Sequence, residues 1–332
     1  MIGSLTKASN FVTDDAFVRR LATPFKPEDT RLGEYTFLPF VRTGLAAGLT
    51  PPAAGTLRAT VEIAVKVQDS SGDVGPPVTK RLVLRGPGDV IGIDSAQVVR
   101  TVPADGTAAA EESFLAHIEF DRPEMPWLFS PLLPANGRLK PWIALVVCDA
   151  GTSTLEPGIN GLPQQLRTKF GQLQPLDDAH AWAHAQIVGP DTGAPSIPDR
   201  LSEAYGPTNL SRLMCPRKLD PRRDYIAAVV PTFDCGVKAG LGSQGGTLDP
   251  AWARDAGNAD AETEIVLPAY YAWRFSVGER GDFKSLAELE AGLLQFQRRY
   301  EQSAKPFEWT FTGRDLACLL DKPSRNSLRL AA

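Results

Sequence analysis

Leu267-Pro-Ala-Tyr-Tyr-Ala-Trp-Arg-Phe-Ser-Val-Gly-Glu-Arg-Gly-Asp-Phe283 is the densest aromatic run of the chain. It reads as a buried strand leading into a Gly-rich turn. Successive strand side chains point to opposite faces, so Tyr271, Trp273 and Phe275 share one face and Tyr270, Ala272 and Arg274 the other. The first face suits a core. The second is open to an interface role, because Tyr, Trp and Arg dominate binding hot spots. Tyr270, Trp273 and Arg274 are therefore the interface candidates.

The sequence on the N-terminal side of this run is β-rich and punctuated by turns. Thr56–Val67 alternates with period two, placing Leu57, Val61, Ile63, Val65 and Val67 opposite Arg58, Thr60, Glu62 and Lys66, the pattern of a half-buried strand. Val78–Leu84 alternates again after the turn Asp69–Asp73, which predicts a hairpin. Trp142–Cys148 and Tyr225–Val230 are continuously apolar and read as strands buried on both sides. Further strands are expected at Tyr35–Val41, Gly86–Asp94, Ser113–Phe120 and Ile265–Phe275. The prolines of Pro123–Pro134 remove backbone donors, so this segment reads as an ordered loop clamped by Trp127 and Phe129. Residues 150–200 read as loop-rich, with Asp177–Gly189 as their one clear element. Asp14–Leu21 reads as a short helix.

The character changes from Ser285. Ser285-Leu-Ala-Glu288 is a capping box, and Leu289, Leu293, Phe296 and Tyr300 recur at helical spacing. A second capping box, Thr312-Gly-Arg-Asp315, precedes Leu316–Leu320. The last ten residues read as disordered.

The 332 residues include 28 Pro and 29 Gly, which favours short strands joined by turns. A net charge of −4 speaks against binding nucleic acid by bulk electrostatics. The N-terminus has no apolar signal region, and the longest apolar runs are too short for a bilayer. Cys148, Cys215, Cys235 and Cys318 are widely spaced, which fits reduced thiols in a protein that is cytoplasmic at synthesis, before any assembly into a particle.

Three strings invite a chemical reading. His180 and His184 stand four apart, and on a helix they would share a face with Asp177 within reach of a metal. The glutamate of a zinc-protease helix is absent, however, and the alternation with Ala equally suits a strand. Cys235 follows a buried strand, where a nucleophile could sit, but nothing ties His117, His180 or His184 to it as a base. Gly240-Leu-Gly-Ser-Gln-Gly-Gly246 matches the dinucleotide string without a following helix and reads as a turn. The basic residues Arg212, Arg217, Lys218, Arg222 and Arg223 are diluted by Asp220 and Asp224, which makes them a solvated polar face. No catalytic, metal or cofactor site is therefore assigned; Asp177, His180 and His184 are weak metal candidates only.

Two resemblances cover different parts of the chain. IEFDRPEMPWLFSP (118–131), GRLKPWIALVVCD (137–149), the block 210–242 and LPAYYAWRFSVGERGDF (267–283) resemble large uncharacterised bacterial proteins associated with phage-tail-like contractile injection systems. This likeness spans most of residues 35–286. It implies a structural or accessory role beside tail-tube or baseplate proteins, and no catalytic residues. Residues 287–322 resemble the C-terminal tail of Tc1/mariner-like DDE insertion-sequence transposases, through Tyr300, Lys305–Thr312 and Asp315-Leu316. The carboxylates of those enzymes lie upstream of the tail, where this chain is β-rich, so no transposase activity is expected. A truncated gene with an appended transposase end would account for both likenesses.

The expectation is an α+β, β-dominated fold: a sandwich-like sheet domain with helical connections and a short helical C-terminal appendage. Residues 1–55 would be irregular, 56–286 the β-rich domain with a subdomain division near 150–200, 287–322 the helical tail and 323–332 disordered. The functional expectation is a non-enzymatic component of a contractile injection particle, or a truncated remnant of one. The alternatives are a hydrolase or metal enzyme using Cys235 or the His180/His184 pair, and DNA binding inherited from the tail.

Overall fold

A computed structural model describes residues 35–279, except 71, 74, 190–194, 202–208 and 254–260, together with residue 294. The chain divides into two compact units, Met1–Arg280 and Gly281–Ala332. The helix expected at Asp14–Leu21, both C-terminal capping boxes and, apart from residue 294, the helix expected at Leu289–Tyr300 and the transposase-like segment lie outside the described residues.

The strands in chain order are β1 (Tyr35–Leu38), β2 (Thr60–Val65), β3 (Gln68–Asp69), β4 (Gly72–Asp73), β5 (Val78–Val83), β6 (Val98–Val102), β7 (His117–Phe120), β8 (Ile143–Asp149), β9 (Thr154–Glu156), β10 (Gln164–Lys169), β11 (Ala183–Val188), β12 (Leu210–Met214), β13 (Asp224–Pro231), β14 (Glu264–Ala269) and β15 (Tyr271–Ser276). They form a five-stranded sheet in the order β1-β11-β12-β7-β6, a central sheet β15-β13-β8, a third sheet β14-β10-β9, and the two-stranded pairs β2-β5 and β3-β4. The fold is β-dominated and sandwich-like, as the alternating and apolar runs predict.

Two hydrophobic clusters show how the sheets stack. One joins Ile118, Phe120, Ala183, Ala185 and Leu213 of the five-stranded sheet to Ile143, Leu145, Val147, Tyr225, Ala227, Val229, Trp273 and Phe275 of the central sheet. The other joins the opposite central face, Ala144, Val146, Cys148, Ile226, Ala228 and Val230, to Leu166, Leu267 and Ala269 of the third sheet. The central sheet is thus covered on both faces, which is why β8 and β13 carry unbroken apolar runs where a half-exposed strand alternates. Each fully buried Ile, Leu or Val contributes about 1.5–3 kcal/mol relative to exposure.

The Pro-rich segment is ordered as expected. Met125–Trp127 forms a buried 3-10 turn. Trp142 Nε1 donates to the Met125 carbonyl at 2.8 Å, and Phe129 meets the Trp142 ring edge-on at 4.8 Å.

Four expectations need correction. Ile265–Phe275 is not one strand: it divides at Tyr270 into β14, paired with β10, and β15, paired with β13. The chain steps from the third sheet into the central one at this bend, where Tyr270 N donates to the Val229 carbonyl at 2.8 Å. Residues 150–200 hold β9, β10 and β11 rather than mainly loop; these strands are short and polar on one face, so they carry little apolar signal. Gly86–Asp94 contains a 3-10 turn at Pro87–Asp89 in place of a strand, with Asp89 Oδ2 accepting from Gly86 N. The strand within Ser113–Phe120 begins only at His117.

Candidate functional site

The weak metal candidates fall across an element boundary. Residues Leu176–Trp182 form a 3-10 helix and β11 starts at Ala183, so His180 and His184 share neither a helix nor a strand. His180 Nδ1 donates to the Asp177 backbone carbonyl at 3.1 Å. Among the described residues, no group of three or more His, Cys, Asp and Glu side chains is placed to hold a metal ion. The Asp177/His180/His184 trio is not a metal centre here, because the chain changes from 3-10 to extended backbone between the two histidines.

What His184 does join is a row of polar side chains across the outer face of the five-stranded sheet. Antiparallel register sets His184 opposite Arg212, Arg212 opposite Glu119, and Arg100 opposite Glu119. Their neighbours Ile118, Phe120, Ala183, Ala185 and Leu213 point inward to the core, so the row must lie on the other face. Arg212 Nε donates to Glu119 at 2.7 Å, its NH1 to His184 Nε2 at 3.2 Å and its NH2 to Gln186 Oε1 at 3.0 Å. Arg100 grips both oxygens of Glu119, its Nε donating to Oε2 at 2.5 Å and its Nη2 to Oε1 at 3.0 Å.

Glu119 is only 2% exposed. Burial pushes its carboxyl up, but hydrogen bonds and charge from Arg100 and Arg212 outweigh that and leave it below the ordinary carboxylate value. Burial, with the nearby Arg212 charge, pulls His184 down to about 4, and burial also lowers His117. His184 is thus neutral at pH 7. Arginine only donates, so His184 Nε2 must accept and the ring proton sits on Nδ1.

A hollow of about 710 Å³ opens beside this row, lined by Phe37, Leu38, Pro39, Asn136, Gly137, Arg138, His180 and Ala181 along with Ala183, His184 and Arg212. Phe37 packs edge-on against His184 at 5.4 Å and is itself 57% exposed. Across the hollow, Asn136 and Gly137 both have positive φ, 51° and 70°. Ala135 and Arg138 exchange both backbone hydrogen bonds at 2.9 Å. That is a two-residue hairpin turn of the kind Asn-Gly favours, and it holds Arg138 at the rim.

Cys235 lies at the start of the helix Asp234–Gly240 and is 0% exposed. Burial, then the Asp234 and Asp89 charges, push its thiol up to about 11, the reverse of an activated nucleophile. A Cβ on Gly88 would lie 3.3 Å from Cys235 Cβ, and one on Gly246 only 2.6 Å from its Cα. The cysteine is packed between two glycine backbones, and no histidine bonds its sulfur among the described residues. Cys148 and Cys215 are likewise buried free thiols raised by burial, Cys215 to about 12. The Gly240–Gly246 string follows this helix rather than a strand, so it lacks the context of a dinucleotide site.

Of the interface candidates, Arg274 alone is exposed. Trp273 is buried at 3% and its Nε1 donates to the Pro103 carbonyl at 2.9 Å. Tyr270 is buried at 7% with its hydroxyl donating to the Val90 carbonyl at 2.9 Å. The bend that separates β14 from β15 turns the Tyr270 ring towards Trp142, 5.8 Å away, instead of leaving it beside Arg274. The basic cluster is dispersed too. Arg217 bonds Gln172 and the Val147 carbonyl, Arg222 pairs with Glu279, and Arg223 with Asp149.

The exposed apolar surface sits elsewhere. β2 and β5 pair from Thr60↔Val83 to Val65↔Val78, and β3-β4 prolong the ribbon. Val65, Val67, Val78 and Val83 are 45%, 59%, 68% and 63% exposed. Thr60 is bridged to Thr50 at the ribbon's foot; beyond it, both edges lack a neighbouring strand among the described residues. A two-stranded ribbon is marginal by itself, and bare edges are templates for pairing. The ion pairs Arg58–Asp89 and Arg81–Glu62 border a second hollow of about 690 Å³ at its base.

Sequence reasoning found the ribbon as a hairpin but not its exposure, and it missed Glu119, Arg100 and Arg138 altogether. Two local signals existed: a carboxylate inside the apolar strand His117–Phe120, and the Asn136-Gly137 dipeptide. No family model, curated protein or solved structure matches the chain.

Proposed function

We propose that the chain is a non-enzymatic component of a larger protein particle, of the phage-tail-like contractile injection kind that its 118–283 blocks resemble, made in the cytoplasm and joined to tail-tube or baseplate-like proteins. The observation that carries this reading is the β2-β5 ribbon. Val65, Val78 and Val83, exposed by 45–68% on a two-stranded element with bare edges, with Val67 just beyond β2, offer apolar surface and unpaired backbone for another protein to cover. Glu62 and Arg81, paired across the ribbon, leave a mixed charge pattern that sets register for an added strand. The enzyme alternative draws no support from Cys235, whose thiol is buried and raised. The DNA-binding alternative draws none from the basic stretch 212–223, whose four arginines, Arg212, Arg217, Arg222 and Arg223, are engaged in separate ion pairs and hydrogen bonds.

The test is recovery of a tagged chain from cells that build such a particle, beside a Val65→Asp/Val78→Asp variant. The wild type is expected to bring down tube or baseplate proteins, and the variant to lose them while keeping its thermal stability. Equal recovery by both, or a wild type that comes down alone, would sink the proposal.

A further inference from the structure

The hollow beside His184 differs in charge from the rest of the molecule. The chain is net negative at −4, yet no Asp or Glu lines this hollow, while Arg138, Arg212, His180 and His184 do. Arg212 is spent on Glu119, His184 and Gln186. Arg138 is not: among the described residues no acceptor takes its guanidinium, and its main chain is locked in the Asn136-Gly137 turn. The His184 Nδ1–H also lacks a protein acceptor among the described residues, since the Arg212 bond at Nε2 leaves the proton on the other nitrogen. Phe37, Leu38 and Pro39 form the apolar side.

We propose that this hollow binds a small carboxylate carrying an apolar group. Its carboxylate accepts from the fork of Arg138 and from His184 Nδ1–H, and its apolar part lies against Phe37, Leu38 and Pro39. One guanidinium without a counter-ion matches a single negative charge. A planar carboxylate fits the two parallel N–H groups of that fork. A phosphate dianion would face one unpaired cation and a neutral imidazole, so it is the poorer occupant. The Arg212–Glu119–Arg100 row fixes the imidazole and its tautomer, as an outer partner orients a ligating histidine. This site is independent of the ribbon and of any role in a particle.

Titration calorimetry with hexanoate as probe tests it, with hexanamide and inorganic phosphate as comparators. Hexanoate is expected to saturate with a dissociation constant of about 1 mM, the range of a small ligand held by one charged contact. Hexanamide and phosphate should each bind about tenfold more weakly or not at all. Arg138→Gln, which changes no hydrogen bond among the described residues, should weaken hexanoate about tenfold, and Lys218→Gln on another loop should not. The nitrogen resonances of His184 should report a proton on Nδ1 that shifts on titration. Absence of saturable hexanoate binding, equal binding of hexanamide or phosphate, or indifference to Arg138→Gln would each overturn the assignment.

Discussion

β13 and β2 are both strands of small and branched apolar residues, yet they meet opposite fates. Seven of the eight residues of β13 are buried, and its two faces feed two different hydrophobic clusters. In β2 only Val61 is buried, and its partner β5 has no buried residue. The contrast teaches that burial is decided by what stands on either side of a strand. β13 has β8 and β15 at its edges and a sheet against each face; β2 has β5 and, at one end, Thr50. Stability should therefore concentrate around β13, and interaction potential around the ribbon.

The sharpest way to break that comparison is Trp273→Ala. Losing a buried indole and leaving the Pro103 carbonyl without its donor is expected to cost about 3–5 kcal/mol in denaturant unfolding. A loss below about 1 kcal/mol would mean that the central sheet does not hold the unit together. Next in size is Gly246→Ala. Its φ of +106° and a Cβ only 2.6 Å from Cys235 Cα predict destabilisation of about 2 kcal/mol or more, read as a lower unfolding midpoint. Tyr270→Phe keeps the ring and removes the bond to the Val90 carbonyl, so about 1 kcal/mol is expected. A neutral result there would restore Tyr270 as a surface residue.

The polar row on the outer face of the five-stranded sheet adds a pH dependence. Unfolded, the His184 ring takes up a proton near 6.5; folded, only near 4. Between those values the unfolded chain binds more protons, so stability is full above pH 6.5 and falls as pH drops toward 4. Melting curves across that range should flatten in His184→Gln, which retains an acceptor for Arg212. A steeper fall in the variant would contradict the neutral, accepting imidazole. The smallest effect is expected on the ribbon: Val78→Thr should change stability by less than about 0.5 kcal/mol, since its side chain is already largely in water.

The elements that the sequence reveals best are those with one-dimensional causes. Trp142–Cys148 and Tyr225–Val230 announce strands covered on both sides because nearly every side chain is apolar. The hairpin at Thr60–Val83 shows in its alternation, and the Pro123–Pro134 segment in its missing donors. The candidate site was hardly legible. Its members come from residues 37, 100, 119, 138, 184 and 212; strand register brings together all but Arg138, which the Asn136-Gly137 turn supplies. His180 and His184 looked like partners because of their spacing, but the change from 3-10 to extended backbone between them separates their roles.

The aromatic run Leu267–Phe283 divides the two kinds of knowledge most clearly. Its alternation alone determined that Tyr271, Trp273 and Phe275 face one way, because side-chain direction in a strand follows from the backbone pleat. Only the tertiary structure decided that Tyr270 belongs with them in the core. The chain must bend there to leave the third sheet for the central one, and the ring that turns inward finds Trp142 beside it and the Val90 carbonyl for its hydroxyl. Pattern fixes faces within an element; which element ends where, and against what, depends on layers assembled from distant parts of the chain.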